Sequence, residues 1–335
     1  MDLKLKNGTI LINRYEIISS LGQGGFGVAY KAKDLQKNKL VAIKEFLPSG
    51  CSIYRNNNND MLLGSLEYEE AYTEGLKRFK LEAKNLSLFK HPNIVRITDY
   101  FSLHNSAYYV MKFEHGLPLD QFLMKKNRLL HQDEIINLIF PILEGLKEMH
   151  SKKMYHRDVK PENIFITSKG MPILIDFGAA RMAMINKSQK FTRILTQGYA
   201  PPEQYESKAS RQGAWTDIYA VAALMYEMVV GKKPTNSLHR VTSIYQEDMP
   251  DPLVYPIIQD MREFDDDFLN VIMSALSIRI DERPQTVVEF QDMMMNSIGH
   301  DDEDEEKEVY ENEFDYPPFI IAVISILFLG YIFFS

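Results

Sequence analysis

Between Tyr15 and Phe46, short runs rich in β-branched and aromatic residues (YEIISSL, VAYKAK, KLVAIKEF) are separated by turns containing Gly, Asn or Lys, which predicts three strands of an antiparallel meander. From Leu47 to about Gly75 the pattern breaks at Pro48, Gly50, Asn56 to Asn59 and Gly64, so a long surface loop with room for one short helix is expected. Leu76, Phe79, Ala83, Leu86 and Phe89 then recur at helical spacing and predict an amphipathic helix. Two further strands, near Ile94 to Ser102 and Ala107 to Glu114, complete a small β-rich lobe. Beyond Gly116 the pattern turns helical, most strongly at Ile135 to Met149 and Asp217 to Val230, which predicts a second, mainly α lobe. The fold class is therefore α+β with two lobes. After Ile298 the helical pattern fades into the acidic run Asp301 to Glu308 and a Pro-containing stretch to Pro318, a linker by composition. The unbroken apolar run Phe319 to Phe334 follows it.

Hydrophobic residues make up 45% and charged residues 25% of the 335 positions, the balance of a folded chain rather than a disordered one. The net charge of -8 offers no basic footprint for a phosphate backbone, so no nucleic-acid partner is expected. Cys51, the single cysteine, has no CxxC neighbour, and a tolerated thiol in a reducing compartment is the expectation. Met1 to Arg14 lacks the apolar core and cleavage site of a secretory signal.

Gly22-Gln23-Gly24-Gly25-Phe26-Gly27 matches G-x-G-x-x-G, in which missing side chains let backbone amides approach phosphate oxygens. A dinucleotide-binding fold would continue into a helix, with an acidic residue about 20 positions on. Here a strand-forming run follows, with Lys44 at the end of Val41-Ala42-Ile43-Lys44, so a loop bridging two strands over a nucleotide fits better. Taken alone, a structural Gly-rich turn explains the string equally well. Lys44 at the end of an apolar strand needs an anionic partner, for which phosphate is the natural choice, and a carboxylate to hold it. Glu82 on the apolar-faced helix is the preferred carboxylate, with Glu67, Glu69, Glu70 and Glu74 as competitors; a solvated helix face is the ordinary reading of any one of them. The most specific signal is His156-Arg157-Asp158-Val159-Lys160-Pro161-Glu162-Asn163, followed by Ile175-Asp176-Phe177-Gly178. Phosphoryl transfer needs a carboxylate at the attacking hydroxyl, a cation on the transferred group and oxygen ligands for magnesium. Asp158, Lys160, Asn163 and Asp176 supply all of them.

With these motifs in this order, the chain from Gly22 to about Ile298 resembles the protein kinase catalytic domain. The resemblance implies that Leu21 and the Gly22, Gln23, Gly24, Gly25, Phe26 and Gly27 loop cover ATP. Lys44 would contact its α and β phosphates while pairing with Glu82. Asp158 would orient or deprotonate the acceptor hydroxyl, Lys160 would meet the γ phosphate, and Asn163 and Asp176 would bind Mg2+, with Mn2+ as a substitute. Val28 and Ala42 would sandwich adenine with Phe165 beneath it and Met111 behind it, and the backbone of Lys112-Phe113-Glu114 would form the hinge. Glu203 would pair with Arg283, Asp217 would anchor the catalytic loop, and the activation segment would hold Ser188, Thr192 and Thr196. Of these, Thr192 is the expected phosphosite and Thr196 the expected contact to the catalytic loop. Lys160 two residues after Asp158 resembles the serine/threonine branch, so protein substrates with Ser or Thr acceptors are the implied partners. Gly198 to Tyr205, Lys44 to Pro48 and Gly75 to Phe79 resemble a bacterial subgroup of eukaryotic-like kinases.

Phe319 to Phe334 is just under the roughly 20 residues of a spanning helix, and a C-terminal membrane anchor with the kinase domain facing the cytoplasm is the expectation. Only Ser335 follows it, so no extracellular sensor domain is expected. Two other readings stay open: a membrane-tethered pseudokinase scaffold, which would require a defect in Lys44, Asp158, Asn163 or Asp176, and a small-molecule phosphotransferase, which would lack the segment ending at Glu203.

Overall fold

Tyr15 to Phe46 folds as the meander its alternation predicts: β2 (Tyr15–Gln23), β3 (Gly27–Asp34) and β4 (Lys39–Phe46) pair antiparallel in succession. The structure is a computed structural model and describes residues 3–49, 51–177, 198–206, 211–253 and 264–298. The activation segment with Ser188, Thr192 and Thr196, the acidic linker and the apolar run Phe319 to Phe334 lie outside the described residues. By contacts the chain divides into Met1–Ile298 and Gly299–Ser335.

A short edge strand, β1 (Ile10–Leu11), and the hairpin of β7 (Ile97–Leu103) and β8 (Ser106–Lys112) complete a six-stranded sheet of order β1-β2-β3-β4-β8-β7. Register sorts its side chains into two rows. Cross-strand partners share a face, so Ala29, Lys44 and Tyr109 stand together, and Ala42 stands with Met111. Val28 pairs with Glu45 on the opposite face, where Tyr30, Ile43, Tyr108 and Val110 build a separate buried cluster. The segment before β2 packs onto that face, with Leu5 and Leu11 buried and the Leu5 amide donating to the Tyr30 hydroxyl at 3.1 Å.

The stretch from Leu47 to Gly75 is more ordered than its sequence predicts. It holds a hairpin of β5 (Ile53–Arg55) and β6 (Met61–Leu63), whose tip is closed by Asn56 Oδ1 accepting the Asn58 and Asp60 amides at 2.9 and 2.8 Å. Arg55 ties this hairpin to the sheet, donating at 2.9 Å to the buried Glu45 carboxylate, which also accepts the Tyr30 hydroxyl at 2.8 Å. Helix α1 (Glu69–Leu86) starts well before Leu76. Tyr72 extends the stripe of Phe79, Ala83 and Leu86 two turns back, and buried Gly75 sits inside the helix instead of ending it.

The second lobe is helical, as expected: α2 (Leu119–Lys126), α3 (Gln132–Ser151), α4 (Ala214–Val230), α5 (Ser237–Tyr245), α6 (Asp266–Ala275) and α7 (Val287–Ile298). A small sheet lies between helices and cleft: β9 (Gly116–Pro118), β10 (Ile164–Thr167) and β11 (Pro172–Leu174), in order β11-β10-β9. Helix α4 is buried on nearly every side, which is why its sequence reads as almost continuously apolar.

Candidate active site

The loop between β2 and β3 is fixed from the far end of β4. Leu47 donates its amide to the Phe26 carbonyl at 3.0 Å, and Ser49 donates both amide and hydroxyl to the Gly25 carbonyl at 2.8 and 3.0 Å. Gly22 and Gln23 belong to β2 and Gly27 opens β3, so the turn itself is Gly24 to Phe26, and Leu21 is exposed beside it. Gly27 admits no side chain, because a Cβ there would stand 2.5 Å from the Glu45 carbonyl oxygen. A Cβ on Gly22 or Gly24 would meet no protein atom within 4 Å, so those two leave open space over the cleft.

Ala42, Lys44 and Met111 share the sheet face expected to line the nucleotide. Val28 does not. It is fully buried on the opposite face, and Ala29, paired with Lys44, takes the place assigned to it. The error is one of phase: strand pairing begins at Gly27, and side chains alternate from there. On the other side of the cleft, Phe165 on β10 pairs with Pro118 and packs against Gly116 at φ +157, where a Cβ would come within 2.8 Å of its ring. Phe113 lies just after β8, edge-on to His115 at 5.2 Å, with the Lys31 ammonium over its ring.

Glu82 is the buried carboxylate of α1, whereas Glu67, Glu69 and Glu70 are exposed and Glu74 is held by Arg78 at 2.8 Å. In this conformation the ion pair made by Lys44 is with Asp176. The Asp176 backbone is left-handed at φ +57. Tyr109, between them on the sheet face, is a site residue that the sequence reading missed: it is fully buried, its hydroxyl lies 3.5 Å from Asp176 Oδ1, and the Lys44 ammonium is 5.9 Å from its ring centroid. Burial first, then the charges of Asp176 and Glu82, hold its phenol well above the ordinary tyrosine range.

The catalytic-loop string converges as its spacing implies. Lys160 Nζ lies 3.0 Å from Asp158 Oδ2, and Asn163 Nδ2 donates to both the carbonyl and Oδ2 of Asp158 at 2.8 Å. With its nitrogen committed to Asp158, the Asn163 amide offers its oxygen for coordination. Among the described residues no group of three His, Cys, Asp or Glu side chains forms a metal cage. Asn163 and Asp176 instead suit a hard cation that takes one carboxylate, one amide oxygen and substrate phosphates, as Mg2+ does.

Beneath the loop, Asp217 on α4 accepts the His156 and Arg157 amides at 2.8 and 2.7 Å and faces His150 Nε2 at 2.8 Å. Burial acts to raise the Asp217 pKa, but the bond from His150 and the neighbouring imidazole and amide donors outweigh it and leave the pKa below the usual value. His156 is fully buried, and burial holds its imidazole below its usual pKa. Its ring packs tilted against Phe177 with centroids 4.4 Å apart and meets the Ile175 carbonyl at 3.2 Å, which joins the catalytic loop to the Asp176 segment. Arg157 takes a left-handed φ of +64, and its Nε is buried with no hydrogen-bond partner among the described residues.

Comparison with known proteins gives the family of this two-lobed arrangement. The protein kinase domain model matches residues 15–296. A probable serine/threonine-protein kinase PknB of Lactococcus lactis is 30% identical over 315 residues, covering 92% of this chain and 46% of the relative. The serine/threonine-protein kinase PrkC of Bacillus subtilis is 29% identical over 228 residues, covering 68% of this chain and 32% of its own length. Among solved structures, apo PpkA-294 matches with a TM-score of 0.79 at 30% identity over 88% of this chain and all of that one. The PknI kinase domain of Mycobacterium tuberculosis, at 21% identity and a TM-score of 0.64, supports the fold. The chain belongs to the protein kinase family, is similar to its bacterial serine/threonine members, and spans less than half the length of the curated relatives named here.

Proposed function

We propose that the protein is an ATP-dependent kinase that transfers the γ-phosphoryl group to serine or threonine hydroxyls of proteins. The observation that carries this reading is the convergence of Asp158, Lys160 and Asn163 within hydrogen-bonding distance, with Asp176 and Lys44 joined across the cleft. Asp158 would accept the acceptor hydroxyl's proton, and Lys160, 3.0 Å from its carboxylate, would neutralise charge on the transferring group. Lys44, now on Asp176, would be shared with the α and β phosphates. Mg2+ held by Asn163 and Asp176 would supply charge neutralisation between the phosphates. All four residues whose loss would define a pseudokinase are present, and the segment that a small-molecule phosphotransferase would lack reaches Glu203, which favours the enzyme over both alternatives.

Serine and threonine specificity is supported by Lys160 and by the names of the relatives. Autophosphorylation within residues 178–197 is supported by the half-buried Arg157, whose Nε has no hydrogen-bond partner among the described residues and whose cation suits a phosphate close to the catalytic loop. Membrane anchoring rests on the apolar run Phe319 to Phe334 alone; no helix among the described residues is long and apolar enough to cross a membrane. Phosphosite mapping by mass spectrometry, after incubation with ATP and Mg2+, tests activity and acceptor type together. Phosphoserine or phosphothreonine on the chain or on an added protein is the expected result, and no phosphate incorporation overturns the reading.

A further inference from the structure

Tyr109 occupies a position for which the phosphoryl-transfer roles above provide no use. The preceding Tyr108 faces the opposite side of the sheet and is absorbed by Glu45, whereas Tyr109 stands on the cleft face opposite Lys44. Its ring stacks on Phe79 of α1 with centroids 5.0 Å apart, and Phe79 lies one helical turn before Glu82. Its hydroxyl lies in a fully buried position, where a donor needs an acceptor, and the acceptor it meets is Oδ1 of Asp176 at 3.5 Å. One side chain thus packs on the helix carrying Glu82, lies under the ammonium of Lys44 at 5.9 Å and reaches the carboxylate of Asp176 at 3.5 Å.

We propose that Tyr109 is a positioning residue: its hydroxyl orients the Asp176 carboxylate for Mg2+ and couples that orientation to helix α1. The proposal rests on the kinase reading above. Lys44 and Tyr109 approach the same oxygen of Asp176. When nucleotide phosphates draw Lys44 away, the tyrosine donor remains and limits rotation of the carboxylate, so that its second oxygen keeps one direction toward a cation. A phenylalanine would keep the ring on Phe79 and remove only this restraint.

The test is isothermal titration calorimetry of a non-hydrolysable ATP analogue into the full chain, with Mg2+ and with EDTA, for wild type, Tyr109→Phe and Tyr109→Leu. The affinity of Tyr109→Phe without metal is expected to equal that of wild type, while the gain on adding Mg2+ falls roughly 3- to 10-fold, the scale of one ordinary hydrogen bond, as suits a contact of 3.5 Å. Four outcomes overturn the proposal. In one, both variants keep the wild-type gain in full; in another, the gain falls only in Tyr109→Leu, which would assign the effect to the ring. An equal drop with and without metal would mark general damage to the cleft. A wild-type protein whose affinity ignores Mg2+ would overturn the kinase reading as well.

Discussion

Glu203 and Arg283, 80 positions apart in the chain, meet in the interior of the helical lobe, with Arg283 Nη1 donating to Glu203 Oε1 at 2.8 Å and both side chains almost wholly buried. Arg283 also donates to the Ser277 and Ile278 carbonyls, and Glu203 also accepts the Thr216 hydroxyl. Removing one partner would leave the other charge buried without compensation, which costs about 3–5 kcal/mol. Arg283→Met should lower the free energy of unfolding by that amount in urea titrations, with an unchanged m-value. A loss under about 1 kcal/mol would show the pair to be of the weak, solvent-screened kind.

Asp217 predicts a different effect, because its acceptors hold backbone and not substrate. Asp217→Asn keeps the size of the side chain but replaces one acceptor oxygen with a donor facing an amide. The displaced catalytic loop should reduce kcat on the order of 100-fold with little change in the KM for ATP. A raised KM with intact kcat would place Asp217 in nucleotide binding instead.

Glu134 at the start of α3 accepts the His131 amide at 3.0 Å and both Arg128 nitrogens at 2.7 and 2.8 Å. Burial acts to raise its pKa, but the Arg128 and His131 bonds win and bring it down to about 2. A depressed carboxylate pKa contributes stability above its unfolded value that is lost as pH falls through the folded one, so the window runs from about 4.5 down to about 2. Glu134→Gln should lose about 1 kcal/mol at neutral pH and flatten the acid limb of the stability curve in that window. An acid limb that coincides with wild type would remove Glu134 from the account.

The apolar run gives a cellular prediction. The full chain should sediment with membranes and resist extraction by high salt, and deletion of 319–335 should release an active soluble enzyme. Membrane association that survives the deletion would refute the anchor.

Much of this site was legible because its chemistry is written in contiguous strings. Asp158, Lys160 and Asn163 lie within one short loop, and the helical stripe singled out Glu82 among five glutamates, the one that proves buried. The long-range Glu203–Arg283 pair followed from the resemblance, not from any local pattern. What was hidden depended on phase and register. Val28 and Ala29 are both small and apolar, and only the onset of β3 at Gly27 decides which faces the cleft. Likewise Tyr108 and Tyr109 are identical in type, and the pairing of β8 with β4 sends one to Glu45 and the other to Asp176. The β5–β6 hairpin was hidden by its Asn-rich tip, because the residue that fixes it, Arg55, acts through a partner on another strand.

The most direct measurement is transfer of label from γ-labelled ATP to a generic protein substrate by wild type, Lys44→Ala and Asp158→Ala. Labelled serine or threonine is expected with wild type, and no transfer above background with either variant. Full activity in Asp158→Ala or Lys44→Ala would contradict that expectation.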